Sequence, residues 1–238
     1  MLGPVVNSVT LVAGGISGAA LGRRIPRRVR EAMPLTCGIV SVAVGTALMN
    51  KVHAIPAVAL ALLAGAFIGE LLFLERGLEL AIGWARRRVE KMWPAEQGNH
   101  RTEDFVAKYV TVLVLFSASG MGIFGAMHEG MTGDANILIA KAILDLFTAT
   151  IFATELGYAV ILIAIPQMAI QGLLYASASL VLPMASPNML ADFSASGGVI
   201  MLATGLRVCG IKIFPIVNML PALLLVMPCS ALWSHLFA

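Results

Sequence analysis

The stretch NILIAKAILDLFTATIFATEL, residues 136–156, decides what kind of protein this is. At 1.5 Å per residue, a helix of this length spans about 30 Å, the thickness of the hydrocarbon core of a bilayer. Lys141, Asp145, Thr148, Phe152 and Glu155 follow one another at steps of four, three, four and three, so they share one helical face. Asp145 then falls near mid-membrane, where a carboxylate is costly unless it is paired or hydrated. An acid there is a functional candidate by default. Lys141 stands one turn away and can pair with it, although Lys before Asp is the less favourable order. Two readings stay open: a buried ion pair that fixes helix register, and a proton or ion site on a solute pathway.

The rest of the chain suits the same setting. Of 238 residues, 59% are hydrophobic and 12% charged, against roughly 25% charged in soluble domains. The expected fold is all-α, a polytopic transmembrane helical bundle of about eight spans in the lipid bilayer. The spans fall near 4–22, 34–51, 54–74, 105–127, 136–156, 158–182, 188–208 and 213–236. Five arginines lie in GRRIPRRVRE (22–31), seven Lys/Arg between Arg76 and Lys108, and Arg207 and Lys212 between the last two spans. Eight crossings place fourteen of the sixteen basic residues on one side. By the positive-inside rule that side is cytoplasmic and both termini are outside.

The chain reads as one integral membrane domain, 1–238. It divides into a three-span unit (1–74), a polar segment (75–104) and a five-span unit (105–238). The polar segment predicts a basic amphipathic helix on the cytoplasmic leaflet, followed by a linker. Membrane surface accounts for its charge, and no nucleic-acid partner is expected. Gly14, Gly18 and Gly22 recur every four residues, as do Gly65 and Gly69, and predict close helix packing within the chain or in a homo-oligomer.

Gly38 and Gly45 in the second span match Gly198 and Gly205 in the seventh, which runs the opposite way. The match suggests an inverted repeat of spans 1–3 and 6–8, an arrangement found in transporters. The pentapeptide FSASG occurs at 116–120 and at 193–197. Its two copies are expected at similar depth, either crossing closely or lining a narrow cavity with Ser117, Ser119, Ser194 and Ser196.

GMGIFGAMHEGMTGDAN (120–136) is expected to be a glycine-rich outer loop, either an external turn or a re-entrant ligand loop, bearing Glu129 and Asp134. Asp192 belongs to the outer interface or to the same acidic vestibule. Asn218 is either a pathway residue or an interhelical hydrogen-bonding group. The three cysteines read as small buried hydrophobes. There is no P-loop, no HExxH and no GxSxG motif, so neither a metal, a cofactor nor an enzyme activity is expected.

At FGAMHEGMTGDANILIAKAILDLFTATIFA and at ADFSASGG…LATGLRVCGIKIFPIVNMLPALLL the sequence resembles the YqgA/YdfK-type family of bacterial inner-membrane proteins, a domain of unknown function. The resemblance runs over essentially the whole chain and implies a multi-pass protein of the bacterial inner membrane. It supplies no substrate. The residues themselves point to a small secondary transporter or channel for a small ion or solute, built around Asp145 and Lys141. The alternative is a non-transporting scaffold or accessory subunit whose charged face is sealed by helix packing.

Overall fold

A computed structural model describes residues 1–78, 80, 100–117, 119–179 and 185–237. Among them are ten α-helices and no strand: α1 (Leu2–Leu21), α2 (Arg27–Met49), α3 (Ile55–Leu71), α4 (His100–Ser117), α5 (Gly120–Thr132), α6 (Asn136–Leu156), α7 (Ala164–Ser179), α8 (Pro187–Val208), α9 (Ile216–Met219) and α10 (Pro221–Phe237). The expected amphipathic helix and linker fall mostly at 79 and 81–99, outside the described residues, as does Ala118 of the first FSASG copy.

Six segments are long and apolar enough to cross a membrane, and one of them runs from Asn136 to Ser179. That 44-residue run is not one rod. Gly157 takes φ 59°, a left-handed conformation open to glycine, and a 3₁₀ stretch from Gly157 to Ile163 reverses the chain. The helix neighbours confirm the reversal. Gly3 of α1 meets Leu138 and Gly18 meets Thr150, so α1 and α6 are parallel. Gly15 meets Ile161 and Met1 meets Gly172, so α7 returns antiparallel. With the shorter α3, the chain traverses the bundle eight times. Both chain ends lie on one face, with Lys51 and Asp134. Arg24, Arg30, Lys108 and Arg207 lie on the other, called here the basic face.

Three helix pairs make the frame: α1 with α6, α2 with α8, and α3 with α10. Each pair uses small residues to bring backbones together, which is how helices associate without a hydrophobic driving force. Gly14 and Gly18 rest on the Leu146–Ala153 backbone, Gly65 on Ala222, and Gly69 on Asn218. These expected ridges therefore find partners within the chain. Gly22 does not belong with them. It closes α1 at φ 52° with open space around it, so its place is in the turn. In the second pair, a Cβ on Gly45 would stand 2.6 Å from the Gly198 carbonyl oxygen, and one on Gly198 would stand 2.6 Å from that of Gly45. Gly38 and Gly205 face each other in the same reciprocal way.

Phe124, Phe193, Ile200, Met201 and Leu223 anchor one apolar core, and Leu11, Val110, Phe116 and Ile163 a second. The periphery is apolar as well. Leu63 is 73% exposed and Leu173 71%, a surface suited to lipid.

Candidate functional site

The site begins with a discontinuity. α4 ends at Ser117 and α5 starts at Gly120, with Ser119 in an extended conformation (φ −74°, ψ 136°). Ser119 Oγ accepts the Gly122 N–H at 3.0 Å, and its carbonyl accepts the Ile123 N–H at 3.0 Å. Because α4 and α5 together make one crossing, the N-terminus of α5 lies deep inside the bundle. The first FSASG copy is thus a helix break, whereas the second lies within continuous α8. The expected pairing of two equivalent patches is replaced by an offset crossing. Gly197 lies under the Phe124 ring, and Gly120 faces Ile200 and Thr204. Ser194 donates to the Leu190 carbonyl at 2.8 Å, and Ser196 is fully buried with its hydroxyl unpartnered.

Lys141 and Asp145 on α6 form a buried ion pair beside this break, 2% and 7% exposed. Lys141 Nζ sits 5.9 Å from the centre of the Phe116 ring. Gln167 of α7 donates from Nε2 to Asp145 Oδ2 at 3.0 Å. Asn7 of α1 lies against the same carboxylate but outside hydrogen-bond geometry. The close α1–α6 packing is what brings Asn7 to that level. A Cβ on Gly122 would stand 2.9 Å from Lys141 Cε, 3.0 Å from Ser119 Oγ and 3.2 Å from Gln171 Nε2. A bare glycine there is what lets these three side chains converge on the first turn of α5.

Lys141, Asp145, Thr148 and Ser119 line a cavity of about 120 Å³, with Cys37 and Ser41 of α2 on its opposite wall. Thr148 donates to the Leu144 carbonyl at 2.8 Å and stands 3.7 Å from Cys37 Sγ. A second cavity of about 300 Å³ shares Ser119 and Thr204 with the first and extends to Arg207 on the basic face. From the opposite face, a cavity of about 330 Å³ descends past Lys51, His128 and Asp134 to Val44 and Ala140. The two systems are separated by less than one helical turn: Ser41 and Val44 are three residues apart on α2, and Ala140 and Lys141 are consecutive on α6. At the basic face, one turn beyond Phe152, Glu155 pairs with Arg30 at 3.0 Å and with Lys108, tying α2, α4 and α6 together.

Other expected site residues have structural partners. The glycine-rich segment is a helix, α5, and not a loop. Its glycines let it pack against Leu138, Lys141 and Tyr175, and only Gly133 (φ 74°) forms the turn. Glu129 is 3% exposed and accepts the Gly3 N–H at 3.0 Å and the Met1 amine at 3.2 Å, so it holds the start of α1 and is absent from the vestibule. Asp134 accepts the Asn136 N–H at 2.9 Å at the head of α6 while lining the cavity on the termini face. Asp192 is fully buried and accepts from the N–H groups of His53 and Ala54 and from Ser230, so it anchors the turn before α3 and is not an interface or vestibule acid. Asn218 accepts the Glu75 N–H at 2.7 Å under Gly69, which is interhelical bonding away from the cavity.

Asn7, Gln167 and Gln171 were not among the expected site residues. Gln167 and Gln171 are four apart in an apolar span, the same signal that singled out Asn218. Both side-chain polar atoms of Asn7 and of Gln171, Gln167 Oε1 and Ser117 Oγ are buried without partners.

The comparisons with known proteins agree with the architecture. Residues 2–231 match the family described as "Protein of unknown function (DUF554)". The chain is 51% identical over 240 residues to "Uncharacterized protein YqgA" of Escherichia coli (strain K12), covering all of both chains. It is 24% identical over 225 residues to "Uncharacterized membrane protein YdfK" of Bacillus subtilis (strain 168), covering 94% of this chain and 93% of that one. No solved structure matches. A family match over nearly the whole length, a membrane-protein relative and an apolar all-helical bundle converge on one statement: the chain belongs to the DUF554 family, and it is a multi-pass membrane protein.

Proposed function

We propose that this chain is a small secondary transporter whose solute pathway runs between α2, α5, α6 and α8. The observation that carries the reading is the placement of two cavity systems, one from each face, of which one holds the Lys141–Asp145 pair and the other ends just short of it at Ala140. A carrier needs a site reachable from each side in turn, with a thin barrier that can change sides. Discontinuous helices at such sites are a recurrent transporter device, because irregular backbone at membrane depth is tolerated where it lines a cavity. The reciprocal Gly38/Gly205 and Gly45/Gly198 contacts fit an in-plane two-fold axis relating spans 1–3 to spans 6–8. The barrier between the cavities favours a carrier over an open channel. A cavity along the charged face favours transport over a sealed scaffold. We read the basic face as cytoplasmic and the membrane as the bacterial inner membrane, and the chain as a carrier rather than an enzyme.

The test is uptake into proteoliposomes of purified protein, with Asp145→Asn alongside. Counter-ion-dependent flux that disappears in a folded Asp145→Asn protein supports the reading. Single cysteines at Thr148 and at Asn136 that fail to react with impermeant maleimide from either face would refute it.

A further inference from the structure

This inference rests on the transport reading and names the substrate class of the same site. The N-terminus of α5, a 13-residue helix, opens on the cavities through Ser119, Gly120 and Met121. The first N–H groups of a helix have no intrahelical acceptor and carry the positive end of its peptide dipoles. Lys141 lies against that turn. So does Gln171, which is 1% exposed with neither amide atom partnered. Ser117, 8% exposed, has an unpartnered hydroxyl just before the break. Buried amides and hydroxyls without partners are costly, so these point to a guest. Lys141 and Gln171 meet at the first turn of α5 and offer an ammonium, helix N–H groups and an amide NH₂, which are the donors that recognise an anion.

We infer that the site takes a small anion, which replaces Asp145 as the partner of Lys141 while Asp145 takes up a proton. Charge sets the stoichiometry. An anion beside Lys141 leaves the Asp145 carboxylate as an uncompensated charge in a low-dielectric interior. One proton restores neutrality, so one monovalent anion and one proton move together and no covalent bond changes. The new Asp145 O–H finds an acceptor when the Gln167 amide turns over, because its Nε2 faces the carboxylate and its Oε1 is buried without a partner. Among the described residues that touch Asp145 or share its cavity, Asn7 of α1, Phe116 of α4, Ser119 of α5, Gln167 of α7 and Thr204 of α8 do not titrate. Lys141 and, across the cavity, Cys37 of α2 are the titratable ones. The donors converge on a single helical turn, so the anion expected is a small one such as nitrate, chloride or acetate, and a sugar acid is the contrast.

The experiment titrates purified full-length protein in detergent with sodium nitrate, chloride and acetate at pH 5.5 and pH 8, with sodium gluconate as the size control, and reads thermal unfolding. At least one small anion is expected to stabilise saturably at pH 5.5 while gluconate does not. Half-saturation is expected to rise at least tenfold at pH 8 and at least tenfold in Gly122→Ala. Gln171→Leu, which keeps the bulk, should weaken binding severalfold and serves if Gly122→Ala does not fold. The inference is overturned by no saturable response to any of the three, by an equal response to gluconate, by an undiminished response in the variants, or by saturation with sodium or potassium against choline at constant anion. Anion binding without proteoliposome flux would refute transport and leave the anion site standing. Cation flux without anion binding would do the reverse.

Discussion

Removing both halves of the Lys141–Asp145 pair should harm the fold less than removing one. The side chains are 3% and 11% exposed, so neither charge has access to much water. Leaving one partner of a buried pair uncompensated costs about 3–5 kcal/mol, whereas replacing both with apolar residues of similar volume is often neutral or stabilising by about 1–4 kcal/mol. Asp145→Leu also removes the acceptor of the Gln167 hydrogen bond, a further loss of about 1 kcal/mol. Asp145→Leu alone should therefore lose about 4 kcal/mol, and Lys141→Met alone about 3 kcal/mol. The double variant should lie within about 1 kcal/mol of the native protein, a coupling of several kcal/mol. Unfolding in mixed micelles of dodecyl sulfate and dodecyl maltoside, followed by circular dichroism, measures all four proteins. The same double variant reconstituted in vesicles should be inactive. A double variant no more stable than the worse single would refute the energetic argument, and one that retains flux would refute the functional one.

Asp192→Ala strips acceptors from two N–H groups and a hydroxyl in a fully buried setting. Its cost should be about 3–6 kcal/mol, with Asp192→Asn recovering at least half, as read by the same unfolding assay. Gly45→Val places a branched side chain against the Gly198 carbonyl and should lower the unfolding temperature by more than 10 °C, while Gly77→Val, in open space, should leave it nearly unchanged. Glu155→Gln breaks ion pairs that are partly exposed and worth about 1 kcal/mol or less. Stability should hold, but with Cys209 and Cys229 changed to serine, Cys37 should react severalfold faster with a water-soluble maleimide. An unchanged rate would show that these pairs do not restrict the mouth of the cavity.

The helical class, the eight traverses and the polar face of α6 were legible because length, apolar composition and a 3.6-residue period are properties of a segment read by itself. Lys141, Asp145, Thr148 and Phe152, placed on one helical face by their spacing, line one cavity. The acids at 129 and 192 misled because a carboxylate's surroundings depend on what packs over it. Glu129 is covered by the start of α1, and Asp192 by the turn before α3 and by Ser230. Glycine misled in a different way. It frees a backbone in a loop and thins a helix in a packed bundle, and α5 uses it for the second purpose. The break at Ser119 left only a weak trace, since the same five letters stay helical at 193–197. What differs is the neighbourhood: Lys141 and a cavity beside the first copy, and the ring of Phe124 against Phe193 and Gly197 of the second.

The reversal at Gly157 also bears on how the protein is made. Between Asp145 and Ser179 the only charged residue is Glu155, so α6 and α7 emerge from the ribosome with almost no flanking charge to orient them. An insertion machinery that counts loop charges has little to count. The orientation of the pair is then expected to come from what is already in the bilayer. Arg30 and Lys108 belong to earlier-inserted helices and hold Glu155 at their own face. Truncated nascent chains ending beyond Ser179 should therefore insert α6 and α7 in mixed orientations when α1 and α2 are deleted, and uniformly when they are present.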